Sequence, residues 1–345
     1  MKKIQKYKIP IAIFFLSVLL LFAFVLNIVF GSISIPISEV LNSLIGNKSS
    51  KETWQFIILN YRLPKAITAV LVGMGLSISG LLMQTLFRNP LAGPYVLGLS
   101  SGSSLGVAFA ILGANFLPTF LASVLVSDYG IILASCIGSF LVLILILLVS
   151  KKLKDTNSIL IVGLMFGSFA SAIVGVLTYF SSAEQLQKYT FWSMGNIGNL
   201  SVNSILILSF CILIGLFLSF LSIKSLNAML LGENYAKSQG VNFTKWRLII
   251  ILATSILSGS ITAFAGPIAF IGLAIPHIAK IIFQTNEHKI LFFVTLIIGA
   301  IVLLICDSCT NIPGTEIVLP INAITSIIGA PIVIYLLLNK QKMLF

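Results

Sequence analysis

The sequence predicts an all-α membrane protein with about ten transmembrane helices and both ends in the cytoplasm. Three observations predict it: an apolar composition, a series of uncharged runs of spanning length, and the placement of the basic residues. The 345 residues are 58% hydrophobic and 9% charged, whereas a soluble domain carries about 25% charged residues. That is too little polar surface to coat a water-facing globule. Runs of about 20 apolar residues match the thickness of a bilayer core.

The runs lie at about 9–30, 63–86, 94–113, 130–150, 158–180, 202–222, 246–265, 271–284, 290–308 and 321–338. The first follows MKKIQKYKIP. It is longer than the apolar core of a signal peptide and no A-x-A-like site follows, so it reads as an uncleaved first span. Gly73, Gly75 and Gly80 in the second run, and Gly163, Gly167 and Gly175 in the fifth, permit close helix approach. The eighth run is the shortest, set between Gly266-Pro267 and Gln284, and reads as a partial span.

The net charge of +12 does not form a continuous basic face of the kind nucleic acid requires. The Lys and Arg residues sit between apolar runs, where they orient the chain. With the N-terminus inside, the inner segments hold Lys2, Lys3, Lys6, Lys8, Arg88, Lys151, Lys152, Lys154, Lys224, Lys237, Lys245, Arg247, Lys280, Lys289, Lys340 and Lys342. The outer segments hold Lys48, Lys51, Arg62, Lys65 and Lys188. This 16-to-5 division of the 21 basic residues supports ten spans. Nine would put Lys340 and Lys342 outside, and eight would bury some of these loops.

Two loops carry more than connection. The outer segment 31–62 contains Trp54 and two Ser-Ile pairs and suits a short surface helix. The inner segment 223–247, IKSLNAMLLGENYAKSQGVNFTKWR, is the longest cytoplasmic loop and mixes charged with apolar residues. It reads as a short helix, a turn at Gly240, and re-entry into the membrane. Such a loop suits docking to a soluble partner; a plain solvated connector is the alternative.

Several chemistries are excluded. There is no G-x-x-x-x-G-K-[ST], so the chain has no P-loop for nucleotide, and neither H-E-x-x-H nor G-x-S-x-G occurs. Cys136 and Cys211 lie inside apolar runs, and Cys306 and Cys309 form a lone C-x-x-C with no second pair; all four read as packing residues. His277 stands alone after Pro276, whereas a metal site needs several converging ligands. Ionisable groups at mid-depth are nearly absent, with Lys280 and Asp307 near span ends. Proton- or sodium-coupled transport ordinarily needs such groups. Energy for any transport then comes from another subunit, or the chain is a passive pore or a membrane scaffold.

Residues 62–98, RLPKAITAVLVGMGLSISGLLMQTLFRNPLAGPYVLG, carry R-L-P-[RK], then G-x-x-L-x-x-S-G-x-x-x-Q, then N-P-L-A-x-P-x-x-L-G. LGENYAKSQGV (231–241), GPIAFIGLAIPHIAK (266–280) and the tail from Glu316 to Leu338 with IGAP at 328–331 follow in order. The chain resembles, over essentially its whole length, the FecCD family of ABC-importer permeases, which serve iron–siderophores, haem and vitamin B12. The resemblance implies a type II importer permease fold of ten helices in the inner (cytoplasmic) membrane. It implies a homodimer, or a heterodimer with a paralogous permease, with the pathway on the dimer axis. Two ATP-binding-cassette ATPase subunits would dock below, holding the ATP, and a periplasmic or lipoprotein substrate-binding protein above. No cofactor and no nucleic acid would be bound by this chain; its remaining surroundings are lipid.

Residue by residue, the resemblance places Ala228, Met229, Leu230, Leu231, Gly232, Glu233, Ala236 and Gly240 in the segment that couples to the ATPase. Apolar residues on a cytoplasmic loop need a cover; packing on the protein's own helix ends is the alternative. Arg62 and Lys65 fall where the family's basic residues meet the binding protein, and such rim charges steer association. Snorkelling to headgroups is the other reading. Asn311 stands where the family often has a third basic residue, four positions after Asp307. Asn89, Pro90 and Leu91 border the cytoplasmic exit opposite Thr156 and Asn157 and are expected to form an inner gate, or else a tight turn capped by Asn. SISG before NPLAGP in the second span and ILSGS before AGP in the seventh echo one another in spans of opposite direction, as in inverted repeats.

The leading reading is an importer permease for a bulky chelate. A channel or secondary transporter for a small solute would need mid-membrane charges, and a membrane enzyme or scaffold would need a catalytic constellation. Neither is present.

Overall fold

The computed structural model of the protein describes residues 2–47, 49–153, 156–198, 200–311 and 317–338, with side chains throughout except at 2–8, 151, 156, 157, 336 and 337. Lys48, Lys154, Glu316, Lys340 and Lys342, used in the readings above, lie outside them.

Sixteen α-helices make up the described fold. They are α1 (Lys2–Val29), α2 (Ile37–Leu44), α3 (Glu52–Ile57), α4 (Leu63–Leu86), α5 (Leu99–Ile111), α6 (Thr119–Leu125), α7 (Asp128–Lys152) and α8 (Thr156–Tyr179). The second half holds α9 (Ala183–Ser193), α10 (Val202–Leu221), α11 (Ile223–Met229), α12 (Glu233–Ser238), α13 (Phe243–Ala265), α14 (Ile271–Phe283), α15 (His288–Ser308) and α16 (Ile321–Leu338). Among the described residues the β pairing is a single bridge between Asn311 and Val318. Seven stretches among the described residues are long and apolar enough to cross a membrane: Ile9–Val29, Glu52–Leu86, Asp128–Ser150, Ser158–Tyr179, Val202–Leu221, Phe243–Ala265 and His288–Ser308. Three shorter apolar helices, α5, α14 and α16, accompany them.

The outer segment holds two surface helices, α2 and α3, and α3 runs through a π turn at Ile58–Arg62 straight into α4. Pro64, which has no N–H to give the helical ladder, falls directly after the π turn, where the regular α-helical bonding is already interrupted. The run at 94–113 is not one helix. Pro94–Leu97 is a 3₁₀ turn and Gly98 takes φ +75°, so α5 begins only at Leu99. Its 13 residues, like the 13 of α14, reach about 20 Å, short of the ~30 Å hydrocarbon core. The shortness expected of the eighth run is therefore shared by the third.

α4, α13 and α15 form the centre, with 78%, 72% and 67% of their apolar windows buried, against 6% for α1. In lipid, apolar burial does not by itself draw helices together; close packing of small residues does. α4 is built for it. A Cβ at Gly80 would stand 1.6 Å from the Gly272 carbonyl of α14, and one at Gly73 would stand 2.4 Å from the Gly299 carbonyl of α15. Large apolar side chains, such as Phe14, Phe15, Phe140, Phe169 and Phe210, lie on the outside. That distribution suits a hydrocarbon solvent and would be a liability in water.

The two helix breaks meet inside the fold. The Tyr95 hydroxyl donates to the Ile268 carbonyl and accepts from the Ile268 N–H at 3.2 Å. Ala269 N–H donates to Asn322 Oδ1 (3.0 Å), and Gln84 Nε2 donates to the Leu273 carbonyl (3.0 Å) in the first turn of α14. Non-helical backbone within a bilayer persists only where protein satisfies it, and these contacts supply that.

Candidate coupling and gate site

The segment after α10 folds as two short helices, α11 and α12, hinged at Leu230-Leu231-Gly232. Gly232 takes φ +106°, ψ 165°, a region essentially reserved to glycine. Gly240, at φ +77°, ends α12, with its N–H donating to Lys237 O and the Val241 N–H to Ala236 O, both 3.0 Å. This is the glycine stop common at helix C-termini. The hinge spreads the predicted coupling residues over different depths. Met229, at 2% exposure, Gly232 and Ala236 are buried within the chain, and Ala228, Leu230 and Glu233 are half-buried. Leu231, at 62%, and Gly240 are exposed, as is Tyr235, which the sequence reading did not single out. Glu233 pairs with Lys237 at 2.7 Å one turn along α12.

The segment after α4 is a compact turn. Arg88 takes φ +47°. Asn89 N–H donates to Gln84 O (3.1 Å), Asn89 Oδ1 accepts from Leu91 N–H (2.9 Å), and Asn89 O accepts from Ala92 N–H (3.1 Å). Asn89 is thus the Asx cap that makes a tight turn before proline. Leu91 is exposed and Pro90 half-buried. Thr156 and Asn157 open α8, and their side chains lie outside the described set.

The two segments touch. A Cβ on Gly232 would come 3.3 Å from Arg88 Nη1, so the arginine lies over the α11–α12 hinge. His288 is buried at the start of α15 between Asn227 of α11 and Thr85 of α4. A buried histidine in a loop-like segment carries no sequence signature, so sequence reasoning passed over it.

At the other end of α4 the two predicted docking cations are engaged within the chain. Arg62 donates to the carbonyls of Ile28 and Val29 (2.8 Å each) and of Ile33, capping the end of α1. Cations stabilise such carbonyl ends. Lys65 Nζ lies 3.0 Å from Asp307 Oδ1. Asn27 Nδ2 of α1 completes the cluster, 2.9 Å from Asp307 Oδ2, 3.1 Å from Leu304 O and 3.0 Å from Ser308 Oγ. Asn311 contacts Asp307 O at 3.4 Å and serves the end of α15. His277 is buried in α14. Among the described residues no group of three His, Cys, Asp or Glu side chains converges.

The profile of the FecCD transport family matches residues 19–339. The chain belongs to that family. Two transport permeases align with it over most of their length. The hemin transport system permease protein HmuU of Yersinia pestis is 34% identical over 297 residues, covering 86% of this chain and 87% of its own. The vitamin B12 import system permease protein BtuC of Klebsiella pneumoniae is 32% identical over 330 residues, covering 95% and 94%. A solved inward-facing structure of a metal-chelate type ABC transporter superposes with a TM-score of 0.83 at 28% identity, over 95% of this chain and 99% of that one. The fold is therefore that of an ABC importer permease, and the chain is a multi-pass membrane protein of FecCD type.

Proposed function

We propose that this chain is the membrane-spanning subunit of an ATP-driven importer that carries a metal chelate (haem, a ferric siderophore or a cobalamin) inward across the cytoplasmic membrane. The observation that carries the reading is the near full-length alignment with hemin and vitamin B12 permeases, on a fold shared with a metal-chelate transporter. Two copies, or this chain and a paralogue, enclose the path, with both chain ends in the cytoplasm. A separate ATPase docks on α11–α12, where the exposed Leu231 and Tyr235 stand beside the polar residues of α12. A binding protein docks at the opposite end. Arg62 and Lys65 act there chiefly by holding α1, α4 and α15 together, since both are already engaged. The turn at Asn89, with Leu91 exposed, gates the inner mouth together with the start of α8.

ATP-dependent uptake in vesicles carrying the permease, its ATPase and its binding protein tests this. Hemin, cyanocobalamin and a ferric hydroxamate siderophore are the probes. Uptake of one of them with ATP hydrolysis is expected; no uptake of any refutes the cargo class. Uptake that persists without the ATPase would favour a channel or secondary transporter.

A further inference from the structure

His288 joins three elements through one ring. Its backbone N–H donates to Asn227 Oδ1 at 2.9 Å, and its Nδ1 stands 2.8 Å from the same oxygen. A backbone N–H can only donate, so the Asn227 atom is the amide oxygen, and Nδ1 must carry the proton that faces it. In the neutral ring Nε2 is then the acceptor, and the Thr85 hydroxyl lies 2.7 Å from it. Asn227 is on α11, the first helix of the proposed docking loop. Thr85 is in the last turn of α4, and its carbonyl accepts the Arg88 N–H at 3.2 Å. The imidazole is 1% exposed, with the loop on one side and the gate turn on the other.

The bond to Thr85 is of a kind that can be released. The hydroxyl has one proton and two acceptors, His288 Nε2 and the Leu81 carbonyl at 2.9 Å. When the ring withdraws, the hydroxyl keeps its helical partner and no buried donor is left unsatisfied. Of the two bonds to Asn227 one is the ring's and the other the backbone's, so residue 288 is held to α11 by main chain and side chain together and to α4 by the ring alone. Arg88 gives a second point of contact, over the Gly232 hinge, from the same turn of chain.

We propose that His288 is a positioning residue that carries displacement of the α11–α12 loop to the inner end of α4. This inference rests on the reading of that loop as the ATPase docking element. With the link cut, the ATPase still docks and hydrolyses, but the Asn89 turn no longer follows, and ATP is spent without passage.

The test compares Thr85→Val, which removes the hydroxyl and keeps the shape, with Thr85→Ser, which keeps the hydroxyl. His288→Ala is the companion variant. The full complex in vesicles is read for uptake of the three probes and for ATP hydrolysis in the same sample. Thr85→Val leaves the buried His288 Nε2 without its partner and is expected to melt somewhat lower than the parent, yet to assemble and hydrolyse like it while cargo moved per ATP falls about fivefold or more, the low end of coupling between two sites. Thr85→Ser retains the parent ratio, and His288→Ala loses it as Thr85→Val does. If His288→Ala fails to assemble, the Val and Ser pair decides alone. A parent ratio in Thr85→Val overturns the inference, as does loss of hydrolysis and uptake together. A parent complex that imports none of the probes overturns the proposed function first.

Discussion

The Lys65 ammonium lies 3.0 Å from the Asp307 carboxylate, and the two differ in access to solvent, at 21% and 2% exposure. The pair joins α4 to α15, and Asn27 of α1 holds the second carboxylate oxygen. Removing one member of a buried pair costs about 3–5 kcal/mol, chiefly because the other charge is left alone. The asymmetry fixes which loss is worse. Lys65→Met strands a carboxylate that cannot reach water, whereas Asp307→Asn leaves a lysine with a long stem and an open side. Thermal unfolding in detergent is expected to rank parent, Asp307→Asn and Lys65→Met in falling order of stability. The reverse order would show that the ammonium, not the carboxylate, is the trapped charge.

Gly80 sets the distance between α4 and α14. Gly→Ala inside a helix ordinarily stabilises by about 0.5–1 kcal/mol. At Gly80 the added methyl would lie 1.6 Å from the Gly272 carbonyl, so backbone must move, and overpacking costs about 1–3 kcal/mol. Gly80→Ala is expected to lower the yield of monodisperse protein and its melting temperature. Gly175→Ala, inside α8 with nothing within 4 Å, is expected to leave the yield unchanged and the melting temperature equal or slightly higher. Equal behaviour of the two variants would refute the close approach.

Tyr95→Phe should weaken the junction of the two helix breaks. The hydroxyl serves both backbone groups of Ile268, and an unsatisfied buried group costs about 1–3 kcal/mol. A fall in melting temperature is expected, with faster hydrogen exchange confined to 266–270 and 94–98. Unchanged exchange there would mean that water or neighbouring backbone replaces the hydroxyl.

The docking loop separates fold from function. Leu231→Glu alters an exposed side chain and is expected to leave the melting temperature unchanged while abolishing co-purification of the ATPase. Met229→Glu places a carboxylate among buried apolar neighbours and is expected to prevent folding. Co-purification undiminished by Leu231→Glu would move the docking surface elsewhere.

The helices themselves were largely legible. The run at 63–86 is the helix Leu63–Leu86, because hydrophobicity, Pro64 at the start and Asn89-Pro90 beyond the end are all local signals. The coupling segment was legible as a loop with a Gly240 turn. Its division into buried Met229 and exposed Leu231 was not, since both are apolar and only the neighbouring helices distinguish them. The uncharged run at 94–113 concealed a 3₁₀ turn and a left-handed Gly98, because hydropathy is blind to backbone conformation.

By itself the sequence determined the membrane, the ten apolar runs and the FecCD membership, because each depends on composition and short-range order. The tertiary structure alone decided the partners of the charges. Asn27 and Asp307 are 280 residues apart, and Thr85 and His288 are 203 apart. Such pairs form only once packed helices bring distant segments together. Packing also gave Arg62 and Lys65, which sequence placed at an outer rim, partners within the chain: in a low-dielectric surrounding an unpaired charge is costly, and the nearest carbonyls and carboxylate meet it.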